Sequence, residues 1–203
     1  MSPVPPLPSP VIRLSPQGRR AALAVLWLGA ALGLLIGLGA LRLHLSTDPL
    51  ADVHAYYDAG ARLNAGLPLY VQPATTDDAA FYRYPPLLAI AFRPLALLPF
   101  EAAAAVWEAI LLAVTALTLA RLPHRRSTLM ALGMLAMPIL WTLAIGQAQA
   151  LVTMLLAFGT PIGVALAGYV KLTPWLAGLL WLGRRDWRAL ERLATWVVAL
   201  AVL

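Results

Sequence analysis

The 203-residue chain has no cysteine, a single lysine (Lys171) and few charges, which make up only 12% of its residues. Without cysteine there is no disulfide scaffold, no zinc site built on thiolates and no cysteine nucleophile. His54 has no second histidine at metal-ligand spacing, so no metal and no other cofactor is expected. The nine acidic residues are outnumbered by fifteen basic ones, fourteen of them Arg, for a net charge of +6. These arginines sit beside hydrophobic runs and not in one basic stripe, which argues for membrane orientation and against a nucleic-acid partner.

What the chain does have is apolar sequence: 61% of it is hydrophobic and the mean hydropathy is +0.78. That excludes a soluble domain. Residues 1–18, rich in Pro and Ser, read as a disordered cytoplasmic tail. Ala21 to Leu43 is nearly uninterrupted apolar sequence, long enough to cross about 30 Å of hydrocarbon and too long for a cleaved signal peptide. Gly29, Gly33 and Gly37 recur every four residues along it, a spacing that lets another helix approach closely. Glu101 to Leu122 reads as a second span and Thr128 to Ile145 as a third. Leu151 to Val170 is either one helix interrupted at Gly159, Thr160 and Pro161 or two half-helices, and Leu172 to Gly183 is too short to span. A further apolar run begins at Thr195. The fold class expected is all-α: a polytopic transmembrane bundle over residues 19–203, preceded by the tail.

Arg19 and Arg20 before the first span, and Arg121, His124, Arg125 and Arg126 after the second, place those ends in the cytoplasm. Residues 46–100 then form an extracytoplasmic loop, whose part from Ser46 to Tyr84 carries five Asp against Arg62 and Arg83. Within it the sequence predicts a helix from Pro49 to Asn64, capped by Asp48 and ended by Gly66, with Asp58 and Arg62 paired on one face. Pro85 to Pro99, interrupted by Arg93 and Pro94, predicts an interfacial segment that does not span. Asp52 lies just beyond an outward helix end, where a carboxylate stays ionised at the aqueous boundary and can act as a general base, although a solvated loop charge is the plainer reading. Lys171 can likewise be a snorkelling interfacial residue, and Gln147 a helix-end cap.

The ordered series Asp52-x-x-x-Tyr56, Gly66-x-Pro68-Leu69-Tyr70, Arg83-Tyr84-Pro85-Pro86-Leu87, Pro94-Leu95-Ala96, Trp107, Gly146-Gln147 and Lys171-Leu172-Thr173-Pro174, followed by Arg184-Arg185-x-Trp187-Arg188, resembles glycosyltransferase family 87. The resemblance runs from about Ala21 to Arg188 and corresponds to roughly the N-terminal half of a usual member, so the bundle is expected to be incomplete at its C-terminus. It implies a GT-C-type enzyme of the cell (inner) membrane that transfers a hexose, mannose in the first place, from a polyprenyl-phosphate donor to a lipid or glycan acceptor on the outer face, with inversion. Membrane lipids are its surroundings. Asp52 is then the catalytic base, and Lys171, Gln147, Tyr56 and His54 contact substrate. Between Gln147 and Lys171 there are only 24 residue steps where the family fits two full helices, and Gln149 stands where Asn is common. The alternative is a non-catalytic or truncated remnant that binds glycolipid or packs as a subunit.

Overall fold

The computed structural model describes residues 15–71 and 81–202. Among them the chain forms helices and turns only. Most of the expected tail, together with Asp77 and Asp78 of the acidic loop, lies outside the described residues.

Helix α1 (Pro16–Thr47) starts where the Ser15 hydroxyl accepts the Gly18 N–H at 3.1 Å and Pro16 supplies the first helical position. Its beginning therefore takes in the last residues assigned to the tail. Helix α2 spans Ala51–Asn64, α3 Pro86–Phe92 and α4 Phe100–Ala120, with a 3₁₀ turn at Leu95–Leu97 between the last two. Helices α5 (Arg126–Met134) and α6 (Ala136–Ala144) follow. Both α1 and α4 are long and apolar enough to cross a bilayer. The expected third span is instead this pair of short helices, bent by 55°. Pro138 is the physical reason: it has no N–H to offer Met134, and its ring excludes the Met134 carbonyl, so α5 stops there.

The glycine series on α1 does what its spacing predicts. A Cβ on Gly33 would lie 2.8 Å from the Met134 Cα, and one on Gly37 would lie 2.7 Å from the Ala136 carbonyl carbon. Only hydrogen at those positions lets α1 lie along α5 and α6 backbone to backbone. Pro85 to Pro99 folds as α3 and the 3₁₀ turn; seven residues reach only about 10 Å as a helix, too short to span.

Two local expectations change. Asp48 does not cap α2. It closes α1, accepting the Thr47 hydroxyl and the His44 Nδ1–H at 2.7 Å each. Leu50, left-handed at φ 58°, occupies the N-cap of α2 and breaks the helical path between α1 and α2. Arg62 does not pair with Asp58. The turn at Gly66 (φ 68°) brings the Pro68 carbonyl back over Arg62, whose Nε donates to it at 2.9 Å, and an exposed ion pair has little energy with which to compete.

The remaining chain is α7 (Gln149–Ala157), α8 (Pro161–Val170), a 3₁₀ turn at Thr173–Ala177, α9 (Gly178–Gly183) and α10 (Trp187–Ala201). Of the two readings for Leu151 to Val170, the half-helices are the ones observed. Gly159 at φ 62° and Pro161 at the first position of α8 turn the chain back on itself, and the Thr160 hydroxyl caps α8 through the Gly163 N–H. At the tip the Arg121 guanidinium lies 3.9 Å from the centroid of Phe158, tying the hairpin to the end of α4. Asp186 caps α10 through the Ala189 N–H, which is why that helix starts at Trp187. The largest fully buried side chains, Tyr56, Phe92, Leu111, Val53 and Val152, come from α2, α3, α4 and α7 and form the core under the site.

Candidate functional site

A cleft of about 1260 Å³ opens where the end of α1, the start of α2, the Tyr82 to Pro86 segment, the end of α6 and the end of α8 meet. Asp52, Tyr84, Gln147 and Lys171 all line it. Asp52 stands in the first turn of α2, whose beginning is strapped to the end of α6: the Leu50 N–H donates to the Ala144 carbonyl at 3.2 Å and the Asp52 N–H to the Ile145 carbonyl at 3.0 Å. Two phenols hold its carboxylate. Tyr84 donates to Asp52 Oδ2 at 3.0 Å and Tyr56 to the same oxygen at 3.3 Å. Burial, reinforced by the Asp52 charge, pushes Tyr84 up to about 12, and burial raises Tyr56 well above the ordinary phenol value. Both hydroxyls therefore keep their protons at neutral pH and act as donors to the carboxylate.

Lys171 ends α8. Its ammonium donates to Gln147 Oε1 at 3.2 Å and to Gln149 Oε1 at 2.9 Å, and it stands 5.8 Å from the Tyr84 ring centroid. Burial lowers the pKa of this ammonium, and the nearby Asp52 carboxylate partly restores it. Tyr84 thus stands between a carboxylate and an ammonium, bonded to one by its hydroxyl and facing the other with its ring. The two amides satisfy the ammonium and leave it its positive charge.

Gly146 shapes the turn that carries Gln147. It adopts φ 68°, and a Cβ there would collide with a Val53 methyl and approach the Glu108 carboxylate to 2.8 Å. The Trp107 indole N–H fixes the same turn by donating to the Gly146 carbonyl at 2.8 Å. The Gly146-Gln147 pair and Trp107, distant in sequence, are one structural unit.

The sequence-chosen residues divide. Asp52, Gln147 and Lys171 share the cleft wall; Tyr56 lies beneath it, fully buried, and reaches the site only through its hydroxyl. His54 does not line the cleft. It stacks on Phe100 with ring centroids 3.8 Å apart, on the face of α2 turned toward α4. Helical periodicity is the reason, since two residues after Asp52 the side chain points some 200° around the helix. Sequence reasoning missed the Tyr84 hydroxyl and Gln149. The turn-forming role of Tyr84-Pro85-Pro86 masked the phenol, although Pro85 and Pro86 do start α3. The signal for Gln149 was its two-residue spacing from Gln147.

Two helices long and apolar enough to cross a bilayer, with a cleft at the end of one of them, are those of a helical membrane protein. The chain belongs to glycosyltransferase family 87, whose model matches residues 81–203, more than half of its length. It is 32% identical over 158 residues to a polyprenol-phosphate-mannose-dependent alpha-(1-2)-phosphatidylinositol pentamannoside mannosyltransferase of Mycolicibacterium smegmatis, a match covering 68% of this chain and 38% of the relative. The chain thus spans about two-fifths of the length of that relative. No solved structure matches it significantly.

Proposed function

We propose that this chain forms the catalytic end of a polytopic GT-C-type membrane glycosyltransferase, which moves a hexose, mannose in the first place, from a polyprenyl-phosphate donor to a lipid or glycan acceptor at the outer face of the cell membrane. The observation that carries the reading is the placement of Asp52 and Lys171 in one cleft with Tyr84 between them. Family membership and the donor named for the mycobacterial relative support it.

In this mechanism the Asp52 carboxylate takes the proton of the acceptor hydroxyl as the oxygen attacks the anomeric carbon from the face opposite the phosphate. The bond from that carbon to the phosphate oxygen breaks, and its electron pair leaves with polyprenyl phosphate. Lys171 faces the negative charge that grows on the leaving group, and Gln147 and Gln149 hold it in place. Tyr56 and Tyr84 orient the base. Because they bind one carboxylate oxygen, the other is left to receive the proton.

The test is transfer from radiolabelled polyprenyl-phosphate mannose in membranes carrying the chain. Asp52→Asn should lower turnover by about 10²-fold or more, since the amide keeps the shape of the carboxylate and loses the basic oxygen. Lys171→Ala should lose less and lose it chiefly in donor KM. Full activity in Asp52→Asn, or no transfer by the unsubstituted chain, would overturn catalysis by this site.

A further inference from the structure

The cleft is larger than the carboxylate and ammonium group needs. At about 1260 Å³ it exceeds the roughly 300–1,000 Å³ that enclose a single drug-sized ligand. Its wall also carries a second polar and aromatic group, His44, Asp48 and Trp141, which the first group does not engage. The His44 and Trp141 rings stand 5.7 Å apart, tilted by 32°. His44 Nδ1–H donates to Asp48 Oδ1 at 2.7 Å, and the same oxygen accepts the Thr47 hydroxyl. Asp48 Oδ2 is left without a partner among the described residues, and the other ring nitrogen of His44, Nε2, is not used by this contact. These side chains are open to the cleft: Trp141 is 37% exposed, His44 24% and Asp48 43%.

We propose that His44, Asp48 and Trp141 form a second carbohydrate subsite, which holds a pyranose ring with its C–H face on the Trp141 indole and its hydroxyls on Asp48 and His44. A pyranose has one apolar face and a rim of hydroxyls. A flat aromatic surface beside a carboxylate and an imidazole offers contacts for both. The junction of α1 and α2 ties this subsite to the first. His44 and Asp48 lie one turn apart at the end of α1 and Asp52 stands in the first turn of α2, while Trp141 and Ile145 lie one turn apart at the end of α6. The two backbone bonds from Leu50 and Asp52 to Ala144 and Ile145 clamp these walls together, so a ring on Trp141 lies in the same cleft as the Asp52 carboxylate. Identification of that ring as the acceptor's rests on the transferase reading; the presence of a pyranose subsite does not.

The experiment measures binding to the full chain in phospholipid nanodiscs free of sugar detergents. Saturation-transfer NMR follows the ring protons of octyl α-mannopyranoside, octyl β-glucopyranoside and methyl α-mannopyranoside, with octyl glycerol as a competitor that lacks the ring. At least one pyranoside should bind saturably. Its affinity should fall about tenfold in Trp141→Ala and in His44→Ala, and less in Trp141→Phe. Octyl glycosides binding better than the methyl glycoside would identify a lipid-linked acceptor, and equal binding a free glycan. Unfolding midpoints of the variants separate loss of the subsite from loss of the fold, and the milder Trp141→Phe keeps the test available if Trp141→Ala unfolds. Displacement by octyl glycerol as effective as by the glycosides, no saturable binding by the unsubstituted chain, or equal binding by folded Trp141 and His44 variants would overturn the subsite. A short-chain prenyl-phosphate mannose run alongside tests the donor reading separately. If it fails to bind while the pyranosides do, that reading falls and the subsite stands.

Discussion

Asp52 and Lys171 carry opposite charges in one cleft, and a direct ion pair between them would leave neither free to act on a substrate. Tyr84 prevents this by giving its hydroxyl to the carboxylate and its ring to the ammonium, while Gln147 and Gln149 fill the other donor positions of Lys171. The state of Lys171 has a consequence in pH. Burial disfavours its charged form, so its proton leaves at a lower pH than the proton of a lysine in water. Donor KM should therefore rise on the alkaline side with a midpoint below 10.5, the value of an unperturbed lysine. Lys171→Arg should remove that alkaline rise, because a guanidinium does not lose its proton there. Initial rates against donor concentration across the alkaline range are the measurement, and an unchanged pH profile in Lys171→Arg would exclude the ammonium from donor binding. At this scale the sequence was informative about Lys171, which stands alone as its residue type. It was silent about the Tyr84 hydroxyl, whose partner lies 32 positions away.

Among the elements, packing is decided by where backbone can approach backbone. Gly33 and Gly37 have no room for a side chain, whereas nothing lies within 4 Å of a Cβ built on Gly39 of the same helix. The contrast supplies a matched pair. Gly33→Leu should separate α1 from α5 and α6 or strain them, lowering stability by about 1–3 kcal/mol or more, as overpacking does. Gly39→Leu should be close to neutral. Thermal unfolding of both variants in nanodiscs checks this, and equal midpoints would show that the α1 contact contributes nothing. The same scale explains why 24 steps suffice between Gln147 and Lys171. Helices α7 and α8 are only about 14 and 15 Å long, and turning at Gly159 returns Lys171 to within 3.2 Å of Gln147. Two full spans are not required to bring these residues together.

Across the molecule, contacts run in one consistent direction. Helix α1 meets α5 and α6 in parallel, from Gly29 against Met134 to His44 against Trp141, and reaches the cleft at its C-terminal end. Helix α4 runs the other way, from Phe100 beside His54 to Arg121 at the tip of the α7–α8 hairpin. The arginines at Arg19, Arg20, Arg121, Arg125 and Arg126 therefore gather at the end away from the cleft. The expectation from the positive-inside rule is that this end is cytoplasmic and the cleft faces outward. Because the chain has no cysteine, single cysteines at Leu67 and Ser127 report the orientation cleanly. An impermeant maleimide on intact cells should label Leu67→Cys at once and Ser127→Cys only after permeabilisation; the opposite order would invert the topology.

The features settled by the sequence alone are those that depend on local composition and period. The long apolar runs of α1 and α4, the glycine stripe, an interruption at Gly159 to Pro161 and the start of α3 at Pro85-Pro86 follow from side-chain polarity, missing Cβ atoms and the missing proline N–H. Tertiary structure decided what each polar group faces. Asp48 was as good an N-cap by spacing as it is a C-terminal partner of His44, and the choice fell to the left-handed break at Leu50. His54 and Asp52 are two residues apart in the chain, yet one packs on Phe100 and the other meets Tyr84, because helix rotation sends them to different neighbours. Those neighbours come from distant segments whose approach is set by the packing of whole helices, information that no window of sequence around Asp52 contains.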